Sequence, residues 1–205
     1  MPARIVVLAG VNGAGKSTVA GAAIVAAGGA FFNPDEAARA ARQENPGLTV
    51  AQANASAWEM GRRGLARAIQ HGEFFAFETT LGGHTIFSLL RRGAELGAEI
   101  HMSYVGLRSE ELHIQRVKSR VAAGGHDIAE AKIRERYRTS REHLIALLAL
   151  LATLRVYDNS DEADPKTGAT PRPVLLLHMQ RGRVEYHAAL NDMPDWIKPI
   201  LGAAL

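Results

Sequence analysis

"ARIVVLAGVNGAGKST", residues 3–18, is the stretch on which the fold turns. Its first half is a short, β-branched apolar run that reads as a buried strand over 4–9. Its second half matches G-x-x-x-x-G-K-[ST] in full, from Gly10 through Gly15, Lys16 and Ser17. Strand, glycine loop and helix in that order make a phosphate cradle. Backbone N–H groups converge on the oxygens, and the following helix presents its positive end. Gly13 and Gly15 let the backbone come close without a Cβ in the way. Gly10, Asn12, Gly13, Ala14, Gly15, Lys16, Ser17 and Thr18 are therefore the expected nucleotide-binding residues, with Lys16 on the β and γ phosphates and the Ser17 hydroxyl on Mg²⁺. The loop alone leaves three uses for the phosphate open: hydrolysis that drives a motion, a sensed switch, or transfer to another molecule.

The chain around it is ordinary in bulk. Its 205 residues are 47% hydrophobic and 22% charged, which suits one soluble domain, 1–205. It contains no cysteine, so thiolate metal sites, disulfides and Cys nucleophiles are excluded. The formal charge of +3 is too small to argue for nucleic acid. The most apolar stretch, "LIALLALLATL" (144–154), is far shorter than the roughly 20 residues of a membrane span. The N-terminus carries no signal-peptide pattern. These features predict a cytoplasmic protein without a membrane partner.

Strand and helix signals alternate along the chain. Strands are expected at 4–9, 30–33, 73–78, 99–107 and 155–158. Helices are expected at 16–27, from Pro34 to about 43, from a Thr49 cap to Gln70, at 84–96, from a Ser109 cap to about 123, and from about 128 to 154. A polar loop (159–173), a terminal hairpin ("VLLLHMQ", "RG", "RVEYHAA") and a closing helical turn complete the chain. This order implies an α/β fold of the P-loop NTPase type: a parallel sheet of about five strands with helices on both faces, a helical lid near 109–142 and a C-terminal β-hairpin. Ligands on such sheets sit at the carboxyl ends of the strands, where "GVNGAGKS", "NPD", "ETTLGG" and "DNS" fall.

The polar residues at that edge narrow the class. The D-x-x-G and N-K-x-D patterns of regulatory GTPases are missing, as is an L-S-G-G-Q-like transporter signature. Small P-loop kinases need instead an acid for the acceptor's proton and arginines for the moving phosphoryl group. Asp35, after the second strand, can orient and deprotonate a hydroxyl; it equally suits a first helical turn on dipole grounds. Glu78 ends the third strand at the ligand edge, followed by the hydroxyls of Thr79 and Thr80. The stretch 108–141 holds nine of the 24 Lys and Arg. Arg116 and Arg120 share one helix face and Arg134, Arg138 and Arg141 another, with Gly124-Gly125-His126 as a hinge-like break. A basic lid over phosphates and a solvated helix pair both account for this. The histidines form no H-x-x-x-H or H-E-x-x-H pattern, so no protein-bound zinc is expected.

Together "GVNGAGKST", "NPDE", "FETTLGG", "RVKSRVAAGGHD", "RERYRTS" and "YDNS" resemble the zeta-toxin-like P-loop kinases, more narrowly their short bacterial branch, over about residues 4–160. The resemblance implies transfer of phosphate from ATP, with Mg²⁺, to a sugar hydroxyl of UDP-N-acetylglucosamine. It implies Asp35 as base, Glu78 as an acceptor contact and Arg116, in an I-x-R context, as a lid arginine. The family's second lid arginine has no counterpart where "GGHD" stands, and His126, Arg120 or Arg136 can substitute. Any antitoxin is expected as a separate chain, since little sequence precedes the first strand. Two rivals remain at this level. One is a polynucleotide 5′-hydroxyl kinase, opposed by a basic region whose sole aromatic is Tyr137. The other is a non-catalytic ATP-binding switch with a protein partner.

Overall fold

The computed structural model describes residues 1–16, 19, 31–125, 127–161 and 172–205. The expectations for Ser17, Thr18 and His126, for most of the helix at 16–27 and for most of the loop at 159–173 fall outside these residues. Seven strands form one sheet in the order β2-β3-β1-β4-β5-β6-β7. β1 (Arg4–Ala9) lies between β3 (Phe74–Thr79) and β4 (Glu99–Gly106); β2 (Phe31–Phe32) flanks β3, and β5 (Thr153–Asp158) flanks β4, all parallel. Central parallel strands are covered on both faces, so they must be apolar throughout. Ile5, Val7, Ala9, Ile100, Met102 and Leu154 are accordingly buried in one core.

The register aligns the strand ends. Ala9 pairs with Thr79 on one side and Tyr104 on the other, and Gly106 pairs with Asp158. The loops after β1, β3, β4 and β5 therefore emerge along one rim. The chain order reverses direction at β1, the switch point at which a ligand crevice opens.

The helices follow their caps. Asn33 accepts from the amides of Asp35 (2.9 Å) and Glu36 (3.4 Å), and Pro34 opens α1 (Pro34–Glu44). Thr49 and Gln52 form a capping box for α2 (Val50–His71), which ends on left-handed Gly72. α3 spans His84–Glu95. Ser109 accepts from the Leu112 amide at the start of α4 (Glu110–Ala122). That helix ends in a Schellman arrangement, with the Gly125 amide donating to Arg120 O and the Gly124 amide to Val121 O, Gly124 being left-handed. The two glycines are thus a helix stop. A Cβ at Gly125 would sit 2.8 Å from the Arg120 carbonyl.

Two expectations change. α5 (Glu130–Leu147) yields to a 3-10 turn at Leu148–Leu150 and gives way to β5 two residues earlier than the expected strand. Leu154 and Val156 are fully buried between β4 and the next strand. A run of buried leucines satisfies helix and strand patterns alike, and the sheet's need for a fifth strand decides between them. The expected hairpin, β6 (Val174–Gln180) and β7 (Arg183–His187), joins the five parallel strands antiparallel to β5, so that among the described residues the sheet has seven strands. Its turn, Arg181-Gly182, has positive φ at both positions. The chain closes with α6 (Lys198–Ala204), preceded by buried Trp196, whose ring lies on Gly106 where a Cβ would meet it at 2.4 Å. Among the described residues no helix is long and apolar enough to cross a membrane.

Candidate active site

The phosphate loop is shaped from outside. Gly10, Gly13 and Gly15 all take positive φ, and a Cβ at Gly10 or Gly13 would press on the carbonyls of Val105 (2.3 Å) or His113 (2.7 Å). Its carbonyls are held by side chains from two other elements. His113 Nδ1–H donates to Asn12 O (2.8 Å), and the buried Asn159 Nδ2 donates to Ala14 O (2.8 Å). Burial pushes the His113 pKa down to about 4, so its imidazole is neutral and the bond to Asn12 fixes the tautomer. Lys16, buried, turns back onto the loop: Nζ donates to Gly10 O (2.8 Å) and Val11 O (3.4 Å) and lies 3.3 Å from Glu78 Oε1.

A second braced loop follows β3. Thr139 Oγ1 donates to Gly82 O (3.1 Å), Ser140 Oγ to Thr80 O (2.7 Å) and His143 Nδ1–H to Leu81 O (2.8 Å), all from α5. With its own hydroxyl proton so used, Ser140 accepts from the buried Tyr104 hydroxyl at 3.0 Å. Leu81 sits in the left-handed region with φ 54°, fully buried, in a conformation this clamp sustains. The Thr79 and Thr80 hydroxyl oxygens accept from the amides of Leu81 (3.0 Å) and Gly82 (3.4 Å), and both residues face the cleft.

Between these loops, α1, α2 and the α4–α5 pair lies a cleft of about 1400 Å³. It brings together Asn12, Gly13, Gly15, Lys16, Asp35, Glu78, Thr79, Thr80, Arg116, Arg120 and Arg136. Asp35 is well exposed, its Oδ2 4.0 Å from Arg120 Nη1. Arg136 is largely buried and donates to Asn12 Oδ1 at 2.7 Å; burial lowers its pKa. Arg116 lines the cleft but spends its guanidinium on the carbonyls of Asn159 (2.8 Å), Ser160 (3.4 Å) and Asp161 (3.0 Å).

The face of α5 turned to the cleft carries Lys132, Glu135, Arg136, Thr139 and His143. The arginines grouped from spacing lie elsewhere: Arg134 binds Glu110 and Glu111, Arg138 faces Glu142, and Arg141 stacks over the Tyr137 ring at 3.9 Å. Ile114, Val117 and Ile133 join Val11 in a buried cluster, so the α4–α5 pair is seated on the phosphate loop here. Asp158 is not among the residues that line the cleft. It accepts from the Ser160 amide (2.8 Å) and hydroxyl (2.9 Å) and from Trp196 Nε1 (2.7 Å). Sequence reasoning missed Thr139, Ser140, His143 and Asn159 as braces, and missed Arg39, Asn54, Trp58 and Arg62 on the far wall. Only the spacing of the α5 residues carried a signal.

Known proteins agree with this architecture. The chain belongs to the AAA domain family, whose model matches residues 5–144. An uncharacterized protein of Haemophilus influenzae is 31% identical over 140 residues, covering 67% of this chain and 94% of that one. Among solved structures, the AvrRxo1-ORF1:-ORF2 complex with ATP superposes with a TM-score of 0.56 at 15% identity, over 90% of this chain and 60% of that one. The PezAT chromosomal toxin-antitoxin system of Streptococcus pneumoniae gives 0.55 at 17% identity, over 83% and 75%. The chain thus spans about three fifths of the AvrRxo1-ORF1 structure it matches. At these identities the likeness is one of fold, a P-loop kinase-like α/β sheet.

Proposed function

We propose that the protein is an ATP-dependent kinase that moves the γ-phosphoryl group to a hydroxyl of a small molecule, a nucleotide sugar such as UDP-N-acetylglucosamine. The observation that carries this reading is the shared cleft: Lys16 of the phosphate loop, the carboxylates of Asp35 and Glu78, and Arg116, Arg120 and Arg136 face one space. A pure hydrolase or switch has no need of a second wall bearing Asp35.

In this reading Lys16 leaves the Gly10 and Val11 carbonyls for the β and γ phosphates of ATP. Asp35 takes the proton of the acceptor hydroxyl as its oxygen bonds to the γ phosphorus and the bond to the β–γ bridging oxygen breaks. Arg136 and Arg120 balance charge at the transferring group, and Arg116 fixes the loop after β5 beside it. Glu78, Thr79 and Thr80 contact the acceptor. Mg²⁺ bound with ATP would supply neutralisation of the phosphate charge. The Ser17 hydroxyl and the hard carboxylate oxygens of Glu78 would suit it, while among the described residues no preformed cluster of three His, Asp or Glu exists. A cytoplasmic location and a separate antitoxin-like partner chain belong to the same reading; the partner draws support from the toxin-antitoxin system of similar fold.

The test is transfer from γ-labelled ATP to UDP-N-acetylglucosamine and other hydroxyl acceptors, by wild type and Asp35→Asn. Near-full transfer by the variant would remove Asp35 as base. ATP binding without transfer to any acceptor, indifferent to Asp35→Asn, would favour the switch. Tyr137 offers the polynucleotide reading no stacking platform, because Arg141 covers one face of its ring and His113 meets it edge-on.

A further inference from the structure

The wall of the cleft opposite the phosphate loop carries chemistry of its own. Asn54, Trp58 and Arg62 stand four residues apart on α2, one turn above another at ~6 Å per step. All three line the cleft. The core side of the same helix is Ala53, Ala57, Leu65 and Ala68, and Gly61 comes so close to β2 that a Cβ would lie 2.8 Å from the Phe32 ring. Trp58 takes no part in that packing and is 47% exposed. A half-bare indole inside a cleft is a surface made to be covered. Beside it, Glu59 grips Arg62 through two 2.7 Å bonds, to Nε and Nη2, which fixes the plane of the guanidinium. Arg39 reaches the same wall from α1, exposed and with no ion pair among the described residues.

We propose that Trp58 sets acceptor specificity by stacking a flat heteroaromatic ring of the acceptor, with Arg39 and Arg62 receiving its anionic group. The acceptor class is then a nucleotide or nucleotide conjugate, and sugars or sugar phosphates without an aromatic ring are poor ligands. The proposal rests on the reading that the acceptor of phosphoryl transfer occupies this cleft.

Binding can be followed without turnover. The chain has two tryptophans, and Trp196 is buried and bound to Asp158, so it supplies a steady background to Trp58 emission. The full chain is saturated with a non-hydrolysable ATP analogue and Mg²⁺. It is then titrated with UMP, AMP, GMP and CMP, with UDP-N-acetylglucosamine, and with N-acetylglucosamine 1-phosphate, which has no aromatic ring. At least one nucleotide, or the conjugate, should quench emission and bind ~10-fold or more tightly than the ringless phosphate, the scale of one base–aromatic stack. Trp58→Ala should lose ~10-fold or more of that affinity, with a cooperative melt as the check on folding, and Trp58→Phe should retain most of it.

The proposal fails if the ringless phosphate binds as well as the best nucleotide, or if Trp58→Ala binds all ligands as wild type does. It also fails if the ATP analogue alone produces the whole quench. Ring ligands that bind but accept no phosphate would leave the stacking site standing and overturn the kinase reading. Transfer to a ringless acceptor, unaffected by Trp58→Ala, would do the reverse.

Discussion

The two walls of the cleft are built differently. On the phosphate side every loop carbonyl with a side-chain partner is held by a buried or largely buried group: His113 on Asn12, Asn159 on Ala14, Lys16 on Gly10. On the opposite wall Asp35, Arg39 and Trp58 stand exposed, and Asp35 meets its nearest cation, Arg120, only at 4.0 Å. A loop that must present backbone N–H groups to a triphosphate has to be set before the ligand arrives, since its donors are useful only in one geometry. A wall that receives a variable, flexible molecule gains by leaving its side chains in water until then. The first wall is thus paid for in folding stability, the second in binding.

Substitutions should separate the two. Asp35→Asn removes only the proton acceptor, so kcat should fall by about 10²–10⁴-fold with the melting temperature near that of wild type; a γ-transfer assay and a thermal melt decide it. Lys16→Ala should lower turnover by about 10²–10³-fold, with weaker ATP binding by calorimetry; unchanged affinity and rate would contradict the loop assignment.

The phosphate-side wall should also respond to acid. His113 ordinarily titrates near 6.5 but is held at about 4 in the fold. The unfolded chain therefore binds the proton first. The stability His113 confers is complete above pH 6.5 and is lost as pH falls toward 4, on the order of 3 kcal/mol over the window. Denaturant titrations at stepped pH should show this slope, and His113→Gln should flatten it.

Asn159→Ala should cost about 1–3 kcal/mol of stability by leaving the Ala14 carbonyl without its buried donor, together with weaker nucleotide binding. On the other wall Glu59→Gln breaks a half-exposed pair, so it should cost less stability than Asn159→Ala, while raising the KM for the acceptor. If Glu59→Gln were as destabilising as Asn159→Ala, the contrast between the walls would collapse.

How far the sequence could be read follows the same line. Local signals sufficed for the phosphate loop, for the Thr49 and Ser109 caps and for the alternation of strand and helix, because each depends on neighbours in the chain. The path from Leu148 to Leu154 was misjudged, since burial on both faces erases the difference between helix and strand. The arginines of α5 were grouped by spacing alone. Their phase relative to the cleft is set by Ile133 and Leu144 packing inward, a tertiary fact that turns Arg136 rather than Arg134, Arg138 or Arg141 toward Asn12. The α2 wall was invisible for a related reason. Its buried stripe is alanine and glycine except for Leu65, so its large residues give no apolar period to notice.

The rims of the sheet carry one more consequence. Among the described residues β2 contributes two at one margin, and β7 at the other alternates Arg183, Glu185 and His187 along a largely exposed strand. A margin that brief, and one that studded with charge, are both poor templates for the strand of another molecule. During refolding the five parallel strands must wait for distant partners, and in that interval sticky edges would invite amyloid-like pairing. Here the outermost strands act as bumpers, so the protein should refold from denaturant at high concentration with little turbidity, and Arg183→Ile with Glu185→Val should bring the turbidity back.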